Sequence, residues 1–279
     1  MGTFEGVLIA SDLDGTLLGT DHSLSEGNLS ALKYFMKEGG KFAIATGRSR
    51  AGVECLRPWE YSNAPAVLSN GGMLFDYSLN KTLYIDILSP FTVAAAKKIQ
   101  KHFPAAGLEV HCPENKYVIN PNEAINTHLQ YIQCAADIVP SLEAAEGDWI
   151  KVLFVDEPDV TAEIGAWTYE RFKESICAVF SNQFMFEIQN KDTNKGSGVK
   201  KLAELLGIKS EHVFTAGDAG NDMDMLLAFE SFAPANAEKD VITSVNHVLP
   251  HCDDNAIAAM IDFLLCHTNA GCGPQVASG

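Results

Sequence analysis

Basic charge is what this chain has least of. Twenty Lys and Arg stand against 36 Asp and Glu, a formal net charge of −16. Nucleic acid and anionic membrane both require a basic footprint, so neither is an expected partner. No apolar run approaches the roughly 18 residues of a membrane span. No charged-then-apolar leader is legible at the start, so none is expected. The seven cysteines (Cys55, Cys112, Cys134, Cys177, Cys252, Cys266 and Cys272) form no Cys-x-x-Cys pair. Neither a disulfide framework nor a zinc cluster follows, and the expectation is a cytoplasmic protein with reduced thiols. Gly-x-Gly-x-x-Gly and Gly-x-x-x-x-Gly-Lys are both missing, so dinucleotide binding and P-loop chemistry drop out. The eight histidines show no paired metal spacing.

What is present is a globular composition, 47% hydrophobic and 20% charged, in a chain long enough for one large domain or two ordinary ones. Short apolar runs ending in Gly or Asp alternate with helical patterns. Val7–Ala10, Phe42–Thr46 and Ala66–Leu68 read as buried strands, with helices after Ser23 or Ser25 and around 50–56 between them. Strand–helix–strand alternation predicts an α/β fold, a Rossmann-like parallel sheet. A hairpin is expected over 75–85, turning at Asn80. From 86 to 189 the pattern becomes more strand-rich, with helices from Pro90, over 123–136 and over 160–172, and we read it as an inserted α/β domain. The first pattern resumes from 190 to 267, so residues 1–85 and 190–267 form one discontinuous domain. A small polar tail, 268–279, is expected to be disordered.

Four pieces fall at predicted strand ends or helix starts: Asp12/Asp14, Thr46-Gly47-Arg48, Asn194-Lys195-Gly196 and Gly217–Asp222. In open parallel sheets ligands bind outside the carboxyl ends of the strands, so the four can share one crevice. Two acids one residue apart repel. A divalent cation or a shared proton would compensate. Each piece alone has a bland reading: an Asx turn, a strand end, a solvated lysine, a helix cap. An EF-hand is excluded, because Gly15 falls at the fourth loop position and Ser23 at the twelfth.

Taken together, Asp12-Leu13-Asp14-Gly15-Thr16-Leu17, Thr46, Lys195 and Gly217–Asp222 resemble the four ordered motifs of the haloacid dehalogenase superfamily. The insert after the second motif, with Ala45-Thr46-Gly47-Arg48, Asn70-Gly71 and Lys195-Gly196, is similar to the Cof-type phosphatases, although Asn194 stands where Ser is common. The resemblance implies a Mg²⁺-dependent phosphatase acting on small phosphomonoesters, sugar phosphates foremost, with a small phosphorylated metabolite as partner. It implies that Asp12 attacks phosphorus to form an aspartyl-phosphate and that Asp14 moves the proton. Thr46, Gly47 and Lys195 would hold the phosphoryl oxygens. Asp12, the Asp14 backbone and Asp218 would hold the metal, with Asp222 or Asn221 completing or orienting the sphere. Arg48 has two readings, the cap-facing side of the leaving group or a surface ion pair; Asn70 is read toward the site. Specificity is expected from the inserted cap, where Tyr117, Trp149 and Lys151 are candidates. A phosphohexomutase is the alternative reaction, and a non-catalytic phosphosugar-binding protein a third reading. The oligomeric state is not legible.

Overall fold

The computed structural model describes residues 2–132 and 135–268. Chain order begins with β1 (Leu8–Ser11), α1 (Glu26–Lys37), β2 (Lys41–Ile44), α2 (Arg50–Glu54), β3 (Ala66–Leu68), β4 (Met73–Asp76) and β5 (Lys81–Ile85). The insert then supplies α3 (Pro90–His102), β6 (Leu108–His111), β7 (Lys116–Ile119), α4 (Glu123–Tyr131), β8 (Asp137–Ile138), β9 (Lys151–Val155), α5 (Pro158–Phe172), β10 (Ile176–Asn182) and β11 (Met185–Asn190). Last come α6 (Lys195–Leu206), β12 (Val213–Ala216), α7 (Met223–Ala228), β13 (Glu230–Pro234), α8 (Lys239–Ile242), β14 (His247–Leu249) and α9 (Ala256–Thr268). Residues 269–279, nearly all of the expected tail, lie outside the described residues, and Thr268 closes α9.

The core is a five-stranded, all-parallel sheet in the order β14-β13-β12-β1-β2. Strands β1, β2 and β12 are buried on both faces, which is why they read as unbroken apolar runs. Helices α1 and α9 pack on one face through Leu32, Phe35, Ile257 and Ile261, and α6 covers the other through Val199 and Leu202. Chain order reverses at β1, which has β2 on one side and β12 on the other. The crevice at their carboxyl ends is therefore a topological switch point.

The insert forms a second sheet, β10-β11-β9-β6-β7-β8, antiparallel except for β7 with β8. Its two-residue period splits the side chains. Leu108, Val110, Val152, Phe154, Phe186 and Ile188 face α3 and α5 in an apolar cluster. Glu109, His111, Lys151 and Glu187 alternate with them and take the opposite face. This is the α/β cap inserted into the Rossmann-like core.

Several local expectations are corrected. Ser25 caps α1 by accepting from the Asn28 N–H, whereas Ser23 is held by Asp21. Strand β3 meets the core sheet only at the Ala45–Val67 bridge and pairs antiparallel with β4. The reason is a turn with positive φ at three successive residues, Ser69 (49°), Asn70 (51°) and Gly71 (90°), which reverses the chain. Helix α4 stops at Tyr131 rather than 136, because Asp137–Ile138 pair with Tyr117–Val118. Beyond Ala233, α8 and β14 were not anticipated.

Gly71 links the turn to the start of α6, since a Cβ there would lie 2.1 Å from the Asn194 carbonyl oxygen. Gly71→Ala is expected to destabilise the fold by about 2 kcal/mol, from forbidden φ and backbone overlap together. Urea denaturation followed by circular dichroism measures it, and an unchanged midpoint would contradict this account.

Candidate active site

Strand β1 ends at Ser11, so Asp12 opens the loop while its N–H still bonds the Ala216 carbonyl at 2.9 Å. Gly15 then turns the chain at φ 78°, and a Cβ there would lie 2.6 Å from Asp218 Oδ2. Thr16 Oγ1 donates to Asp218 Oδ1 at 2.6 Å. Lys195 is the first residue of α6, behind an Asn194–Ser197 capping box. Its ammonium is 1% exposed and donates to Asp12 Oδ1 and Asp222 Oδ1, both at 2.7 Å.

Carboxylate oxygens of Asp12, Asp218 and Asp222 lie within 4.8 Å of one another. Burial drives the Asp12 carboxyl well above its ordinary value; Lys195 opposes this, and the neighbouring acids add to it. Burial, then the charge of Asp222, pushes Asp218 up to about 7. Lys195 is raised, because the two carboxylates outweigh the burial that works against its charge. Both Asp222 oxygens are committed, one to Lys195 and the other to the N–H groups of Asp218 and Ala219. Asp12 and Asp218 each keep one oxygen without a partner among the described residues. Two crowded acids with free hard-oxygen donors fit a divalent cation of the Mg²⁺ type, which relieves their repulsion.

Asp14 turns the other way. Arg48 holds it in a two-point pair, Nε to Oδ2 at 2.8 Å and Nη2 to Oδ1 at 2.6 Å. Tyr131 of α4 donates its hydroxyl to the same Oδ1 at 2.7 Å and touches His22. Burial raises the Asp14 carboxyl, but Arg48 and Tyr131 outweigh it and hold the acid below its ordinary value. Of the two readings of Arg48, the surface ion pair fails and the cap-facing placement is seen. The residue is buried, paired with Asp14, and its guanidinium lies 5.0 Å from the Tyr131 ring centre.

Thr46 is buried at the end of β2 and accepts the Arg48 N–H. Gly47 offers its carbonyl to Lys151 of the cap at 2.8 Å. Asn70 donates to Glu187 Oε2 at 2.7 Å and accepts from Asn221 at 3.2 Å. Glu187 also pairs with Lys151 at 2.8 Å and takes a hydrogen bond from Ser181. Of the three cap candidates only Lys151 faces the core. Trp149 and Tyr117 pack in the apolar cap cluster.

A cavity of about 620 Å³ lies between the two sheets, running from Asp12, Thr46 and Asp218 to Lys116, His128 and Glu187. Its cap end carries a group the sequence reading missed. Glu109, fully buried, accepts from His111 Nε2 at 2.9 Å and His128 Nδ1 at 2.8 Å, and Lys116 Nζ lies 2.9 Å away. Burial acts to raise Glu109, but Lys116 and the two imidazoles hold it well below the usual range. The available signal was the alternation in Leu108-Glu109-Val110-His111 and Phe186-Glu187-Ile188-Gln189: polar side chains at every second position of otherwise apolar strands.

Comparison with known proteins fits this geometry. A family model described as haloacid dehalogenase-like hydrolase matches residues 9–261. The chain belongs to that family. Phosphatase YwpJ of Bacillus subtilis is 27% identical over 292 residues, covering 92% of this chain and 99% of that protein. The 5-amino-6-(5-phospho-D-ribitylamino)uracil phosphatase YwtE of the same organism is 25% identical, covering 92% and 97%. Among solved structures, the HAD subclass IIB sugar phosphatase BT4131 superposes with a TM-score of 0.82 at 21% identity, over 93% of this chain and 99% of that one. That likeness shows the fold. Family and relatives together make this haloacid dehalogenase-like hydrolase a phosphatase.

Glu109 also predicts a pH dependence. A carboxylate whose folded pKa is depressed stabilises the fold above its unfolded value, near 4.5, and loses that contribution as pH falls through the folded value. Glu109→Gln is expected to cost about 3 kcal/mol at pH 7, by leaving Lys116 buried without its counter-ion. The gap to the parent should narrow below about pH 4.5 in urea titrations; a gap that is constant with pH would refute the ionised assignment.

Proposed function

We propose that the protein hydrolyses small phosphomonoesters, sugar phosphates foremost, with Mg²⁺ and through an aspartyl-phosphate on Asp12. One observation carries this reading: a buried ammonium, Lys195, shared between Asp12 and Asp222, beside free oxygens of Asp12 and Asp218. A carboxylate nucleophile needs no deprotonation at neutral pH, only orientation, and Lys195 orients Asp12. One Asp12 carboxylate oxygen attacks phosphorus as the bond to the leaving alkoxide breaks, the other being left for the cation, and Lys195 offsets charge on the phosphoryl oxygens with Thr46. Asp14 delivers a proton to the alkoxide. It then takes one from the water that displaces phosphate from Asp12. Held by Arg48 and Tyr131, Asp14 is in its ionised form, ready for the second step; the first requires that it take up a proton and loosen this pair.

Asp12, Asp218 and the Asp14 backbone carbonyl would hold Mg²⁺, with Asp222 orienting Lys195 and the Asp218 loop rather than ligating. Bound there, the ion supplies Lewis-acid neutralisation of the phosphoryl oxygens. We place the cap at 86–189 and the core at 1–85 and 190–267. Two names support the substrate class: a sugar phosphatase shares the fold and a phosphoribityl compound is the substrate in the name of one relative. Free thiols at Cys55, Cys112, Cys177, Cys252 and Cys266 support a reducing, cytoplasmic compartment.

Asp12→Asn is expected to lower kcat by about 10³-fold or more. Turnover that survives in this variant would sink the covalent route. Chelation with EDTA should abolish phosphate release and Mg²⁺ restore it, while full activity of the metal-free protein would refute the metal assignment. Phosphate must appear from a hexose phosphate without an isomer; an isomer would turn the reading to the mutase.

A further inference from the structure

The reaction just described leaves one segment of the core without a role. Residues 234–238 follow β13 and turn back on themselves, the Ala237 N–H donating to the Pro234 carbonyl at 2.9 Å. The segment reaches both loops that carry the acids of the candidate cation site. Asn236 Nδ2 donates to the Gly15 carbonyl at 2.7 Å, one residue beyond Asp14. Two positions on, the Glu238 N–H donates to the Asp218 carbonyl at 2.8 Å. Asn236 Oδ1 accepts the Cys252 N–H at 2.8 Å, which ties the segment to the turn Cys252–Asp254 ahead of α9. A carbonyl only accepts and a backbone N–H only donates, so these two partners fix which way the Asn236 amide points.

We propose that residues 234–238 form a bracket that sets the spacing of the two acid loops, with Asn236 as a positioning residue for the cation. The inference rests on the Mg²⁺ reading above. The ladder between β1 and β12 ends with the Asp12 N–H on the Ala216 carbonyl, so beyond that point other bonds must hold the loops together. Asp12 and Asp218 carry like charge and drive them apart. Lys195 does not oppose this, because it bonds Asp12 and Asp222 and leaves Asp218 aside. What does oppose it is Thr16, whose hydroxyl donates to Asp218 at 2.6 Å, and the bracket, which grips Gly15 on one loop and Asp218 on the other. Mg²⁺ requires near-ideal octahedral geometry with oxygens at about 2.1 Å, so donors that drift apart bind it poorly. Asn236 does not touch the ion. It acts through Gly15, whose own N–H belongs to the same peptide group as the Asp14 carbonyl.

Calorimetric titration of the substrate-free protein with Mg²⁺ alone tests this apart from turnover. Asn236→Ala is expected to bind Mg²⁺ about tenfold more weakly than the parent, the loss ordinary for an outer partner of a metal site. Thr20→Val removes the Thr20 hydroxyl from Asp253 in the same turn and is expected to bind Mg²⁺ as the parent does, so a loosened turn alone does not mimic the effect. Phosphate release by Asn236→Ala should climb back toward the parent rate as Mg²⁺ is raised; a rate that stays low at every Mg²⁺ concentration would mark a structural lesion and overturn the bracket. Asn236→Asp keeps the acceptor for Cys252 and loses only the donor to Gly15. Its added negative charge favours a cation, so weaker binding there reads the lost geometry, and this variant decides should the alanine one not fold. Parent-like Mg²⁺ affinity in the deciding variant, with a parent that needs Mg²⁺, overturns the bracket and leaves the phosphatase reading standing. A parent that binds no Mg²⁺ and releases phosphate without it overturns the cation reading and the bracket together.

Discussion

One buried ammonium holds the catalytic end of this molecule together. Lys195 lies among carboxylates that repel one another and are costly to bury. It gives each of two acids a hydrogen bond at 2.7 Å. Removing it would leave Asp12 and Asp222 as uncompensated buried charges, the arrangement that costs most in a protein interior. Its own position follows from the fold: it opens α6, whose capping box fixes the first turn and whose Val199 and Leu202 lock the helix onto the sheet. Packing of the core thus becomes orientation of Asp12.

The two acids of the first loop differ in environment by more than their spacing implies. Asp12 looks into the acid cluster and is pushed up, whereas Asp14 is held down by Arg48 and a tyrosine from the other domain. The pair thus leaves Asp14 ionised and leaves Asp12 dependent on Lys195, or on a cation, to carry its charge. Arg48, Lys116 and Lys151 line the cavity between them, each paired with a carboxylate.

Much of this was legible beforehand, for a physical reason. In a parallel sheet the strands are apolar runs and the chemistry begins where they stop, so Asp12, Thr46 and Asp218 announce themselves as polar residues at the ends of such runs. Lys195 announces itself by opening a helix. The cap was harder. Glu109, His111 and Glu187 sit inside strands, where alternating polarity ordinarily means a solvated face, and only the opposing core shows that the face is enclosed. Tyr131 carries no local signal, since its meeting with Asp14 spans 117 positions of sequence. The short edge strand β14, with Val248 exposed, had too few buried apolar residues to register.

Directional hydrogen bonds join cap to core, among them Lys151 to the Gly47 carbonyl, Asn70 to Glu187, Tyr131 to Asp14, Gln189 to the Ser69 carbonyl and Arg50 to Glu114. Against water a hydrogen bond to a charged group nets about 1.5–3 kcal/mol, a small part of its strength in isolation. A seam made this way is cheap to part and particular about how it meets again, unlike an apolar one, which resists opening but tolerates sliding. The bonds to Gly47, Asn70 and Asp14 end on core loops beside Asp12 and Thr46. Seating the cap and aligning these crevice residues are therefore one and the same constraint.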